Sequence, residues 1–369
     1  MPVRDWVVLD HLDRMTDSAG LIQHAIYSIP RRESGYTTDD NARALRLCAR
    51  LWREEPDSRM LARVTTYLSF LEHARCPVRG FHNFMSYQRD WLDANGTGDC
   101  QGQAIRALAE VLGSDLPTGC RALARELIED SIPALAELRS LRAQAYVILA
   151  WGHLWETQVK NIELLELVAW SAAQRLIECY ERSVRPDWQW FESRLTYANA
   201  VLPHALFVAG QRWPEENFRE VAEVSFDFLD HATTANNMFW PVGNSDWYSH
   251  GEEKALYDQQ PVEAATMADA ALAAFQLNRA DKYLTSFCQA SDWFHGRNSL
   301  GEALAEPQFG ACCDGLEPLG VNRNQGAEST LAYLWMAVHN FEMQRLLENG
   351  AASDSGVRPS PIGTIVARW

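Results

Sequence analysis

Residues 35–45 read GYTTDDNARAL and set two adjacent carboxylates, Asp39 and Asp40, beside an amide, Asn41, and a guanidinium, Arg43. They stand where turn residues give way to an apolar-periodic run. Two readings compete. Thr37 and Asp40 have the spacing of a capping box, and acids in a first helical turn complement the helix dipole. Against that, one polar residue suffices for a cap, and this start carries several. Carboxylates near Arg31, Arg32 and Arg43 are expected to be charge-paired and low in pKa, whereas a carboxyl packed against tryptophan is raised. Glycoside hydrolysis needs that split, a proton-donating acid together with an ionised base or nucleophile.

The second carboxylate of interest lies in RPDWQWFESRLTYANAVLPHAL (185–206), where Glu192 follows Trp190 and Phe191. Aromatic neighbours desolvate a carboxyl and suit it to general-acid work. The plainer alternative is an exposed first-turn acid. Asp40 and Glu192 are the expected acid/base pair, with Asp39 beside them.

Further polar sets recur at other predicted helix starts and in the loops before them. Residues 80–101 offer His82, Trp91, Asp99 and Gln101, and residues 190–197 offer Trp190 and Tyr197. Residues 244–263 offer Asn244, Asp246, Trp247, His250, Asp258, Gln260 and Glu263, and residues 314–328 offer Asp314, Asn324, Gln325 and Glu328. With Arg32, Asn41 and Arg43 these form the expected substrate-binding set. Of the 14 tryptophans, Trp91, Trp188, Trp190, Trp240 and Trp247 fall in these loops. A pyranose has an apolar C–H face and a hydroxyl edge, which such a mixture of aromatics, acids and amides suits.

Composition narrows the choice. The 369 residues are 47% hydrophobic and 22% charged, enough to bury a large core, and the formal net charge is -16. That field disfavours nucleic acid, which is held through Lys and Arg at its phosphates; a polyanionic ligand requires local basic groups. No run of about 18 apolar residues can span a bilayer, and the first residues lack the apolar core of a secretion signal, so a cytoplasmic protein without membrane partners is expected. The eight cysteines form no CxxC pair; they read as packing thiols, adjacent Cys312 and Cys313 included. No Gly-rich phosphate loop, HExxH or GxSxG occurs, and no metal or cofactor is expected.

Strand signals are sparse, and the periodicity predicts twelve helices near 5–17, 39–55, 57–75, 99–113, 119–138, 141–157, 161–182, 194–210, 215–232, 258–278, 280–296 and 323–347. They alternate in kind. Six open on a polar entry and continue in small apolar residues, recurring every 40 to 65 residues or so; the rest are amphipathic with charged faces. Helices apolar all round belong inside and amphipathic ones outside. Six of each predict an all-α fold, an (α/α)6 toroid. The parallel inner helices would converge their N-termini on one mouth, where long loops make a pocket suited to exo action. Residues 1–348 are expected to form this domain and 349–369 a flexible extension.

In GYTTDDNARAL, WFESRLTYANAVLPHAL, DQQPVEAATMADAAL and NQGAESTLAYL, the chain resembles the six-hairpin superfamily of (α/α)6-barrel glycoside hydrolases and N-acylglucosamine 2-epimerase-like isomerases. The resemblance covers residues 5 to 347 and implies a sugar-processing pocket at the inner-helix mouth. A glycoside hydrolase acting on a short oligosaccharide is expected first. The alternatives are a sugar epimerase using histidines such as His24, His82, His204 and His250, or a non-catalytic carbohydrate-binding toroid.

Overall fold

The computed structural model describes residues 6–76 and 79–354. Twelve α-helices run in order: α1 Asp10–Met15, α2 Thr38–Trp52, α3 Ser58–His73, α4 Gly98–Leu112, α5 Thr118–Ala136, α6 Leu141–Glu156, α7 Glu163–Ser183, α8 Val201–Arg212, α9 Phe218–Ala232, α10 Pro261–Asn278, α11 Asp281–Trp293 and α12 Ala327–Asp354. Burial separates them as their sequences imply. Every residue of α4 from Cys100 to Leu112 is buried, and α10 buries a run of alanines. By contrast α9 buries Phe218, Val221, Ala222, Ser225, Phe226 and Leu229, one stripe at helical spacing.

The even-numbered helices form a closed ring, each against the next, with α12 meeting α2; each of α3, α5, α7, α9 and α11 packs outside the inner helix that precedes it. Alanine and glycine at the contacts let the inner helices approach closely. Short α1 lies against α12. His11 Nε2 stands 2.9 Å from the carbonyl of Gln325, and Trp6 stacks on Phe341 at 4.3 Å. Both ends of the chain thereby complete the sixth hairpin. The all-α toroid is the observed fold.

Connections from an inner helix to the following outer one are short, as at 53–57 and 279–280. Connections into the inner helices are long, except for 137–140 before α6, and among the described residues they carry seven two-stranded ribbons of two or three residues per strand. One ribbon pairs Tyr36–Thr37 with Phe84–Met85 and sets the start of α2. It requires Gly35 at φ 66, where a side chain would run into the Met85 carbonyl.

Four boundaries depart from expectation. Helix α1 starts at Asp10, not residue 5. Helix α8 starts at Val201, because Asn199 bonds Thr196 N and Thr196 O through its own side chain and Ala198 takes φ 45, which together hold 196–200 as a loop. Helix α10 starts at Pro261, favoured at a first helical position, after Asp258 at φ 56. Helix α12 runs on to Asp354, into the segment expected to be an extension; 355–369 lie outside the described residues.

Candidate active site

Thr37 caps α2. Its hydroxyl accepts from Asp40 N at 3.1 Å and donates to the Asp40 carboxylate at 2.7 Å. That is the expected cap. One turn on, Arg43 gathers three carboxylates: its Nε lies 3.2 Å from Asp39, its Nη1 3.7 Å from Asp40, and the same Nη1 donates to Glu328 at the start of α12. Asn83 holds the turn from outside, accepting from Asp39 N through its side chain and from Thr38 N through its carbonyl.

Arginine proximity was expected to keep these carboxylates low in pKa. The opposite holds. Burial pushes Asp39 above the ordinary carboxylate range; Arg43 pulls it down, and the charges of Asp40, Glu328 and Asp99 push it up again. Burial raises Asp40 in the same way, opposed by Arg43 and the Thr37 hydroxyl. One guanidinium shared among three carboxylates does not offset the desolvation and repulsion that act on Asp39 and Asp40.

Asp39, Asp40, Asp314, Glu328 and Gln260 line a pocket of about 300 Å³, together with Gln23, His24, Thr37, Asn83 and Phe84. Asp314 accepts from Gly326 N at 2.8 Å, and burial raises its pKa. The side chains of Asp39, Asp40 and Glu328 are 23%, 7% and 43% exposed. Asp39 and Glu328 therefore offer oxygens to the pocket, whereas Asp40 works mostly from behind them. A larger cleft of about 710 Å³ lies on the outside, between α6, α7 and α8, and holds none of these groups.

Beside this pocket stands a second cluster, organised by Arg142 in the first turn of α6. Arg142 Nη1 meets Glu192 at 2.9 Å, its Nη2 meets Thr196 at 2.7 Å, and its Nε donates to the Tyr197 carbonyl. The Tyr197 hydroxyl donates to Asp99 at 2.6 Å, and Ser140 donates to the other Asp99 oxygen at 2.9 Å. Glu263 accepts from Ala198 N and from the Asn199 side chain at 3.0 Å. Its burial still pushes its carboxyl up to about 7.

Several expected site residues serve the scaffold instead. Asn41 is fully buried and bonds Leu21 N, Leu21 O and Thr37 O. Gln101 bonds Phe81 N and Phe81 O at 2.8 Å each and ties its loop to α4. Gln325 is 4% exposed and donates to Glu306; Asn324 accepts from Tyr27 N. Trp190 and Trp188 are core residues, 0% and 2% exposed. The aromatic neighbours expected to desolvate Glu192 thus turn inward, and its carboxylate is left 34% exposed against Arg142.

Other residues lie away from the carboxylate pocket. Arg32 is exposed, and neighbouring Arg31 pairs with Glu33. His250 pairs with Asp187 at 3.2 Å on the surface. Asn244 and Asp246 are exposed, and Asp258 takes part through its backbone, accepting from Asn244 N. His82 stacks on Trp91 at 5.1 Å, with Phe70 edge-on to Trp91. Trp247 lies 6.3 Å from Tyr197. Arg142, Asn83 and Asn199 were missed. Arg142 had a legible signal, a lone charge in the mostly apolar run SLRAQAYVILA.

No protein-family model matches the chain, and no curated protein does. Solved structures match in shape. A sugar epimerase from a ruminal bacterium superposes with a TM-score of 0.70 at 12% identity, over 92% of this chain and 98% of that one. The cellulase Cel9M of C. cellulolyticum gives 0.59 at 10% identity, over 91% and 90%. A GH76 α-mannanase of Bacteroides thetaiotaomicron gives 0.60 at 11% identity, over 91% and 93%. The chain shares with them the (α/α)6 toroid.

Proposed function

We propose that the chain is a glycoside hydrolase acting on a short oligosaccharide or glycoside at the inner-helix mouth. The observation that carries this is the lining of one pocket of about 300 Å³ by four carboxylates, Asp39, Asp40, Asp314 and Glu328, with His24 the one histidine among them. Hydrolysis of a glycosidic bond needs two carboxyl groups in different protonation states. Asp39, raised in pKa and open to the pocket, donates the proton to the leaving oxygen. Glu328, anchored by Arg43 and the more exposed of the two, faces the sugar carbon as base or nucleophile. Asp40 repels charge on Asp39 and so favours its protonated form. Glu192, the partner expected from sequence, has its carboxylate committed to Arg142 and acts in positioning.

A second reading, a sugar epimerase or isomerase, draws on the higher TM-score of the ruminal sugar epimerase, 0.70 against 0.59 and 0.60 for the two hydrolases. It requires a base beside a sugar carbonyl, for which Glu263, raised to about 7, is the candidate.

One assay separates them. Wild type, Asp39→Asn and Glu328→Gln, each checked by circular dichroism, are incubated in D₂O with p-nitrophenyl glycosides, cellobiose and mannose. The hydrolase releases nitrophenol or new reducing ends, and Asp39→Asn lowers the rate roughly 10²–10⁴-fold. Deuterium entering at C2 without bond cleavage overturns hydrolysis in favour of epimerisation.

A further inference from the structure

A second set of cavities continues beneath the mouth. Glu328 of the carboxylate pocket, with Arg43 paired to it, also lines a constriction of about 50 Å³. Beyond it, towards the C-terminal ends of the inner helices, a cavity of about 240 Å³ lies inside the ring. Its charge is mixed. Arg46 and Arg50 from α2, Arg53 just past its end and Arg106 from α4 line it with His153, His204 and His339, and so do Glu110, Glu156, Asp269 and Glu342.

The cations there are unequally satisfied. Arg50 pairs with Glu342 at 2.7 Å and Glu54 at 3.1 Å, and Arg53 with Glu110 at 3.2 Å. Arg106 holds Asp269 at 2.9 Å, and His339 holds the same carboxylate at 3.0 Å. Arg46 is left over. Its nearest carboxylate among the described residues is that shared Asp269, at 3.9 Å, and its guanidinium lies over the Trp335 ring at 3.8 Å. Next to it, His204 is 8% exposed, and its buried Nδ1 makes no hydrogen bond among the described residues, its nearest carboxylate being the same Asp269 at 3.9 Å. A buried arginine without a close counter-ion is costly, and an unpaired buried ring nitrogen adds to that cost. A guanidinium held over a tryptophan ring keeps N–H groups available, and its planar fork takes an oxyanion in bidentate fashion.

We infer that the lower cavity is a binding site for a small oxyanion-bearing molecule, a phosphate or carboxylate, held by Arg46 and Arg106 with His204 alongside. The cavity opens near Arg53, whose side chain is 31% exposed. At about 240 Å³ it accommodates a compact metabolite and no polymer. Asp269 sets the specificity: it is ionised between Arg106 and His339 and repels an anion that reaches past Arg46. The site stands apart from the carboxylate pocket and does not depend on the reaction proposed there.

Isothermal calorimetry and thermal unfolding with inorganic phosphate, glucose 6-phosphate and citrate, against chloride at matched ionic strength, test this. Wild type is expected to bind at least one of the three saturably and to unfold at higher temperature with it. The phosphate probes as ligands identify a phosphoryl group, and citrate alone a carboxylate. Arg46→Gln is expected to weaken binding at least about tenfold. Glu328→Gln, at the mouth, is expected to leave binding within about twofold. Absence of saturable binding to wild type overturns the inference, as does binding that survives Arg46→Gln or that Glu328→Gln strengthens, which would put the anion on Arg43. If Arg46→Gln does not fold, Arg46→Lys keeps the charge without the planar fork, and undiminished affinity there counts equally against the site.

Discussion

The two ends of one ring of helices carry opposite chemistry. At the N-terminal end stand Asp39, Asp40, Asp314 and Glu328 around Arg43. At the other end four arginines, Arg46, Arg50, Arg53 and Arg106, together with His339, raised to about 9, line a cavity with four carboxylates, Glu110, Glu156, Asp269 and Glu342. Helix dipoles explain the sign, since they favour acids at N-termini and cations at C-termini. They do not explain the protonation. At the mouth, burial and mutual repulsion raise the carboxyls despite Arg43. At the far end Glu110, Asp269 and Glu342 are just as buried, yet their arginine and histidine partners hold them below the ordinary range. Carboxyls that outnumber their cations keep protons near neutral pH and can pass them on. Cations that outnumber their carboxylates hold anions. The ratio of partners in each cavity, more than depth of burial, divides proton chemistry from anion binding.

The sharpest way to break this contrast is Arg43→Met. It leaves three carboxylates facing one another without their shared cation, and removing one partner from a buried charge cluster costs about 3–5 kcal/mol. The loss should depend on pH. Without Arg43 the folded-state pKa values of Asp39 and Asp40 rise further above their ordinary 3.8. A group so raised contributes stability below its unfolded value, and that contribution is lost as pH rises through its folded value. The variant's deficit in urea unfolding is therefore larger at pH 7 than at pH 5. A deficit under about 1 kcal/mol, or one equal at both pH values, would mean that the mouth carboxylates are solvated like any surface acids.

Glu263 gives a smaller, cleaner titration. Its carboxyl moves from an ordinary 4.5 to about 7. Its favourable contribution is complete below pH 4.5 and lost as pH rises through about 7. Each unit is worth about 1.4 kcal/mol, so wild type should lose at most about 3 kcal/mol relative to Glu263→Gln between pH 4.5 and 8. Paired denaturation curves across that range read it directly. A difference flat with pH would show that the N–H donors of Ala198 and Asn199 already hold the carboxylate ionised.

How far these ends could be read from sequence follows from what each rests on. The inner helices announce themselves through alanine-rich runs with polar starts, as in DQQPVEAATMADAAL, and the ring follows from their alternation. The Asp39, Asp40 and Arg43 grouping is local, one turn of helix, and was legible for that reason. Partnerships across the ring were not. Glu328 reaches Arg43 from 285 residues away, and Arg142 takes Glu192 out of the role its aromatic neighbours suggested. Asn41 and Gln101 looked like ligands because buried amides that bind backbone and amides that bind sugars share one residue type. Of the far end only His204 was singled out, as a candidate epimerase histidine. Arg46, Arg50 and Arg53 follow the polar start of an inner helix at helical spacing, and only closure of the ring turns that face into a cavity lining.

The smallest expected effect lies three residues from the largest. Arg46→Gln removes a cation–π contact with Trp335, worth about 0.5–2 kcal/mol, and a 3.9 Å approach to Asp269. It also removes a buried charge whose pKa burial and Arg106 together bring down to about 10. These terms oppose each other, so the variant should unfold within about 1 kcal/mol of wild type in chloride buffer. Urea denaturation of Arg46→Gln beside Arg43→Met makes the comparison on one helix. If Arg46→Gln instead loses as much as Arg43→Met, Arg46 is a structural cation paired as firmly as the others, and the excess that distinguishes the far end does not exist. A near-neutral result has a different meaning. There the Trp335 contact offsets the cost of burying the charge, Arg46 is not required for folding, and its N–H groups are available to the oxyanion that the calorimetry reads directly.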